Sequence, residues 1–373
     1  MVSMARSDPE WVPAAEPDYA IPPGETLRDR LADLGMSQAE LATRTGLSTK
    51  HINQILQGIA HISADTAQRL ELVTGIEARL WNLLEADYRS TLTRLQQRRD
   101  LAPDVAWLKD LPVKQLVDRQ VLPEEPSDKV SRVQQLLAFF GVASLEAWRD
   151  LWFKPVASFR QSPSFEAKRG EVAAWLRLGE LAAQNVASQP YDATKLRAIL
   201  PRLRALTVEQ PEAFESTLRS LCAEAGVVVV FIREITGARV SGAARWLTPT
   251  KAIVQLSLRY KTDDQFWFTF FHELAHVLLH GKKDVWIEDE APGSGSTKDP
   301  REQEANRFAA DQLIPRQYER RLPPLGSLPA ARAFAKELGI APGIVIGRLQ
   351  RDGILGYDVG NHYKRRLDLP EPE

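Results

Sequence analysis

Cysteine is nearly missing from this 373-residue chain: Cys222 stands alone. One thiol cannot form an intramolecular disulfide, and it excludes a Cys-rich zinc ribbon; the pattern suits a reducing cytosol. Net charge of either sign is missing too. With 48 Lys and Arg against 49 Asp and Glu, the formal charge is −1, which excludes nucleic-acid binding by bulk electrostatics and leaves only local basic faces. No window approaches about 18 uninterrupted apolar residues, so no membrane-spanning helix and no membrane partner are expected. The opening MVSMARSDPEWVPAAEPDYAIPPGE lacks the basic and apolar regions of a signal peptide, and a cytoplasmic location is expected. Histidine is also scarce, and three of the six lie in one short stretch, His272, His276 and His280.

What the chain has is helical period. Residues 1–23, rich in Pro, Ala and acids, read as a flexible tail. Residues 24–88 read as a bundle of five short helices broken at Gly35, Gly46, Gly58 and Gly75, and residues 89–164 as a helical connector. From 165 to 355 the pattern becomes α+β: helices come first, then the short β-type runs VVVVFIRE, SGAARWL and AIVQLSL, then two helices. Residues 356–373 read as a tail. The fold class expected is α+β, predominantly helical, with a small mixed sheet. Trp148, Trp152 and Trp175 fall at amphipathic spacing and read as core.

The stretch FTFFHELAHVLLHG carries the chemistry. His272 and His276 are four residues apart, so on a helix both rings leave one face with Cα atoms about 6 Å apart, close enough for two nitrogens to meet on one zinc ion. Glu273, offset by about 100°, can act on a water at the site as general base. His280 lies about 12 Å along the axis from His272, too far to complete one tetrahedral site, and reads as a favourable residue at the helix C-terminus. His362 and Cys222 are elsewhere in the pattern. The third ligand is therefore expected to be a carboxylate of the helix PREQEANRFAADQLIP, Glu302 or Glu304. Glu304 is favoured, because it shares a face with Phe308 and Asp311 next to the apolar stripe of Ala305, Ala309 and Leu313, whereas Glu302 falls nearer the first turn, where helices fray, and can be a solvated, dipole-stabilising charge. Asn306 or Asp311 can bond a ligand histidine from outside. Tyr260, Arg245 and Tyr318 are polar candidates for an oxyanion donor.

FHELAHVLLHGKK followed by EQEANRFAADQLIP resembles the ImmA/IrrE-type metallopeptidases, over roughly residues 165–355. The resemblance implies a zincin-like domain in which His272, His276 and Glu304 bind Zn2+ and Glu273 activates water. It also implies an endopeptidase that cleaves a protein partner such as a transcriptional repressor or antitoxin. The position four after Glu304 is Phe308, so the acid found there in thermolysin-type enzymes has no counterpart.

MSQAELATRTGLSTKHINQILQG carries a second pattern. Ser37 caps one helix, Ala42 permits close crossing, Gly46 makes a turn, and Leu47, Ile52 and Ile55 pack the next helix inward. Ser48, Thr49, Lys50, His51, Asn53 and Gln54 are left outward, with side chains able to meet bases and phosphates. This resembles an XRE-type helix-turn-helix and, with HISADTAQRLELVTGIEARLWNLLEADY, the HigA-like antitoxins, which implies a DNA operator, transcriptional regulation, a stress-response or toxin-antitoxin setting and a homodimer through the bundle. Residues 24–88 hold 6 Lys and Arg against 9 Asp and Glu, a net of −3 that works against DNA affinity and leaves protein docking as the other use of the bundle. FAKELGIAPGIVIGRLQRDGIL repeats the spacing with Pro342 and Gly343 in place, and reads as a packing unit. The contrasting reading of the whole chain is a DNA-binding autoregulator whose metal domain senses or docks without proteolysis.

Overall fold

The structure is a computed structural model and describes residues 17–154, 168–257, 262–281, 286–288, 299–322 and 324–367. It is α+β and predominantly helical, with one small mixed sheet. The chain divides into two compact units, Met1–Val105 and Ala106–Glu373.

The first unit holds five helices, α1 (Pro23–Asp33), α2 (Gln38–Thr45), α3 (Thr49–Leu56), α4 (Ala64–Thr74) and α5 (Ala78–Leu101). Three begin on serine caps whose hydroxyls accept an amide three residues on: Ser37 from Glu40, Ser48 from His51 and Ser63 from Thr66. Gly46 joins α2 to α3 at φ +70°, a left-handed conformation in which a side chain is strained. Leu27, Leu41, Ile52, Ile55, Leu70 and Trp81 form the fully buried core, and Ala42 is buried with them. α5 does not stop at residue 88. Its helical period runs unbroken to Leu101, so the expected boundary at 88 lies inside a helix.

In the second unit, α6 (Val113–Asp118), α7 (Lys129–Phe140) and α8 (Leu145–Trp148) gather Trp107, Phe140, Trp148 and Trp152 into an aromatic cluster. This part of the expected connector is docked rather than free. Gln115 accepts from the Thr236 amide at 2.6 Å, and Arg119 donates to the carbonyls of Arg233 and Glu234 at 3.1 and 2.9 Å. Three helices follow, α9 (Arg169–Gln184), α10 (Ala193–Ala205) and α11 (Pro211–Glu224).

The sheet has order β1-β3-β2-β4. β1 (Val227–Phe231) runs parallel to β3 (Lys251–Leu256); β2 (Gly242–Thr248) is antiparallel to β3 and to β4 (Trp286–Glu288). Alternation splits β1 and β3 between two faces. Val227, Val229, Phe231, Ala252, Val254 and Leu256 join the main core with α12 (Asp263–Leu279). The other face meets α9, where Gln255 donates to the Trp175 carbonyl at 2.7 Å and Trp175 donates to that of Ile232 at 2.8 Å. α13 (Pro300–Leu313) lies against α12, and α14 (Leu328–Leu338) and α15 (Pro342–Arg351) close the far side. The segment after 355, expected as a tail, is part of this unit as far as residue 367. Arg365 bonds the buried Asp263, Thr262 bridges to Arg366, and Leu367 is buried.

Candidate metal centre

α12 is apolar on nearly every side, so its polar stripe is carried into the interior: His272, Glu273 and His276 are all buried. The helix packs along β2, where Gly242 leaves the room that Glu273 uses. A Cβ at Gly242 would stand 2.6 Å from Glu273 Oε1 and 2.7 Å from Thr269 Cγ2.

The two histidines meet as the spacing requires, Nε2 to Nε2 at 3.0 Å. The carboxylate that joins them is Glu302, not the favoured Glu304. Glu302 oxygens lie 3.2 Å from His272 Nε2 and 3.6 Å from His276 Nε2, and the three groups keep ligand atoms within 4.8 Å of one another, a group that could hold a metal ion. The Glu302 side chain is 14% exposed and that of Glu304 is 59% exposed. The reason is rotation about α13. At 100° per residue, Glu302 shares a face with Ala305, Asn306, Ala309 and Leu313, whereas Glu304 points about 200° away. Its first turn does not fray because Asp299 caps it, accepting from the Arg301 amide at 2.9 Å, with Pro300 in the first position. The apolar stripe Ala305, Ala309, Leu313, extended one turn back, was the signal that picks Glu302.

The outer nitrogens of both rings are occupied. His272 Nδ1 meets Asn306 Oδ1 at 3.1 Å, an acceptor, which fixes the proton on Nδ1. Asn306 is thus the outside partner; Asp311 pairs with Arg316 instead, at 2.9 Å. His276 Nδ1 faces His280 Nδ1 at 2.8 Å, and His280 Nε2 reaches Glu304 at 3.3 Å. A single direction satisfies that chain: His276 Nδ1–H donates to His280, and His280 Nε2–H donates to Glu304. His280 therefore stays off the metal-facing edge, and Glu304 takes its place two contacts out. Trp286 of β4 lies flat on His276, ring centroids 4.3 Å apart at 11°, with the Arg301 guanidinium over the indole at 4.6 Å.

These tautomers leave two Nε2 lone pairs and a carboxylate turned on one another at about 3 Å, an arrangement that repels itself unless a cation lies between. The electrostatics agree. Burial lowers His276 to about 4 and keeps it neutral. Two neutral imidazoles and one carboxylate form a donor set suited to zinc with an open position.

Of the oxyanion candidates, Arg245 is turned to the other side, donating to Glu180 at 2.8 Å and to the Leu176 carbonyl at 2.6 Å. Tyr318 packs on Phe334, and Tyr260 lies outside the described residues. In the first unit, Ser48, Thr49, Lys50 and Asn53 are exposed on α3, and His51 and Gln54 are half-buried beside them.

A helix bearing two histidines and a glutamate, crossed by a second helix that supplies a carboxylate, beside a mixed sheet, is a metallopeptidase-type arrangement. Residues 222–349 match the IrrE N-terminal-like domain, family Peptidase M78, and residues 27–81 match a helix-turn-helix family. The chain thus joins a helix-turn-helix segment to an IrrE-like segment. No curated protein matches it. Among solved structures, an addiction module antidote protein of the HigA family from Coxiella burnetii is 31% identical, over 22% of this chain and 90% of that chain, with a TM-score of 0.21. PA4674 of Pseudomonas aeruginosa, solved with its operator DNA, is 34% identical over 20% and 82%, with a TM-score of 0.20. Pseudomonas aeruginosa antitoxin HigA, solved with the higBA promoter, is 30% identical over 22% and 92%, with a TM-score of 0.21. No helix among the described residues is long and apolar enough to cross a membrane.

Proposed function

We propose that this chain is a zinc-dependent endopeptidase acting on a protein partner such as a transcriptional repressor, and that its helix-turn-helix binds operator DNA. The observation that carries the reading is the convergence of His272, His276 and Glu302 on one point with Glu273 buried on the same turn as the histidines. His272, His276 and Glu302 would hold the ion. When bound, zinc supplies Lewis acidity at the scissile carbonyl. Glu273 takes the proton of the attacking water and returns it to the leaving amine. Asn306 and His280 hold the ligand rings in the tautomer that presents Nε2. A site that only bound metal would have no use for the buried Glu273, which favours catalysis over a sensing or docking role.

The test is to co-express candidate repressor-like proteins with wild type and with Glu273→Gln, measuring zinc content and cleavage together. Cleavage by wild type, lost in the variant with zinc retained, is the expected result. Zinc in both proteins with no cleavage by either would transfer the assignment to the non-proteolytic autoregulator.

A further inference from the structure

Between α12, α13 and α15 lies a cavity of about 400 Å³, in the size range of small-molecule sites. Phe268, Leu313 and Ile344 give it an apolar wall; Arg348, Arg351 and Lys364 give it a cationic one, with Asp264 the carboxylate among its lining side chains. Two of the three cations are already engaged. Lys364 bonds Asp264 and the Gln350 side chain, both at 2.7 Å, and Arg348 pairs with Asp352 at 2.8 Å. Arg351 is different. Its guanidinium lies 5.1 Å over the Phe268 ring, and among the described residues no carboxylate reaches it within ion-pair distance. Arg351 is an exposed residue among those lining the cavity.

The cavity is not the metal centre. An adjoining depression shares Ala310, Arg348 and Arg351 and reaches Asn306, which meets His272 at Nδ1, the nitrogen turned away from Glu302. None of His272, His276 and Glu302 lines the cavity.

We propose that this cavity binds a small organic monocarboxylate with an apolar body, its carboxylate on Arg351 and its body against Phe268, Leu313 and Ile344. One cation that no carboxylate reaches within ion-pair distance among the described residues matches one negative charge, and a planar guanidinium matches a carboxylate with two parallel hydrogen bonds. The buried Asp264 works against polyanions such as nucleotides. An uncharged apolar ligand would leave Arg351 desolvated without compensation.

The experiment is calorimetric titration of the full-length protein with decanoate and with 4-phenylbutyrate, with decanol as the neutral control. At least one carboxylate is expected to bind with one-to-one stoichiometry, and decanol at least about tenfold more weakly; Arg351→Gln should weaken the carboxylate at least about tenfold. Because Arg351 also stacks on Phe268, circular dichroism checks that variant's fold, and Ala310→Trp, which fills the cavity and leaves Arg351 in place, should abolish binding independently. No binding of either carboxylate, equal binding of decanol, or undiminished binding by a folded Arg351→Gln or Ala310→Trp protein would overturn the assignment.

Discussion

The carboxylate of Glu302 stands 3.2 Å from Nε2 of His272, on a helix whose next glutamate, Glu304, faces the opposite way. That contrast gives the most direct test of the metal centre. Glu302→Gln should lower zinc affinity on the order of 100-fold or more, because a neutral amide replaces the anionic donor. Glu304→Gln should stay within about tenfold of wild type, since among the described residues its carboxylate bonds His280 and neither ligand histidine. Chelator competition on the purified proteins measures both, and the reverse ranking would return the third-ligand role to Glu304.

His280 should matter without touching the ion. As acceptor for His276 Nδ1 it fixes the tautomer that frees Nε2, so His280→Ala is expected to cost about 10- to 100-fold in zinc affinity. A phenylalanine there would keep the ring on Trp286 and still lose the acceptor. Equal losses in the two variants would assign the effect to the hydrogen bond, and full affinity in His280→Phe would assign it to packing.

Much of this site was readable before the fold. The His272 and His276 pair and the helix-turn-helix depend on spacing within one or two helices, where the 3.6-residue period sets geometry directly. Glu302 was readable too, as the position one turn back on the stripe Ala305, Ala309, Leu313, but setting Glu304 beside that stripe and treating the first turn of α13 as frayed hid it; Asp299 caps that turn. Other features depend on pairings distant in sequence. Nothing local in residues 356–367 shows that Arg365 will meet Asp263 across 102 positions, or that Gln115 will hold the Thr236 amide across 121. A polar segment docked by such contacts looks like a tail in the sequence.

Gly242 sets the fit between β2 and Glu273. Gly242→Ala should destabilise by about 1–3 kcal/mol through overpacking, since its Cβ meets Glu273 Oε1 at 2.6 Å. Much of that loss should be recovered when Glu273→Ala is added, because two of the three nearest atoms then disappear. Denaturant unfolding of the four proteins in the cycle checks it. Strictly additive effects would show that Thr269, not Glu273, sets the limit.

On α3, Lys50 and Asn53 are both exposed and should fail differently. Lys50→Ala should weaken every DNA by a similar factor and reduce the salt slope by about 1, the signature of a lost phosphate contact. Asn53→Ala should reduce discrimination at one base pair, with a loss of about 1–3 kcal/mol confined to the preferred sequence. Selection from a random DNA pool followed by salt-dependent binding separates the two. Absence of any selected sequence would favour protein docking, in line with the −3 charge of residues 24–88.

Asp263 anchors the segment that follows α15, and its protonation should be visible in stability. Burial pushes its carboxyl up to about 6 from its ordinary value of 3.8, against the opposing pull of Arg365. A carboxyl whose folded pKa is raised contributes most when protonated: its contribution is fully present below the unfolded pKa and is lost as pH rises through the folded one. Asp263→Asn cannot titrate, and the other groups cancel in the comparison. The stability of wild type relative to this variant should therefore fall by roughly 2 kcal/mol between pH 4 and pH 7, most of it below pH 6. Urea unfolding of the metal-free proteins across that range measures the difference. A flat difference, or one that grows in favour of wild type with rising pH, would mean that Arg365 stabilises the carboxylate more than burial penalises it.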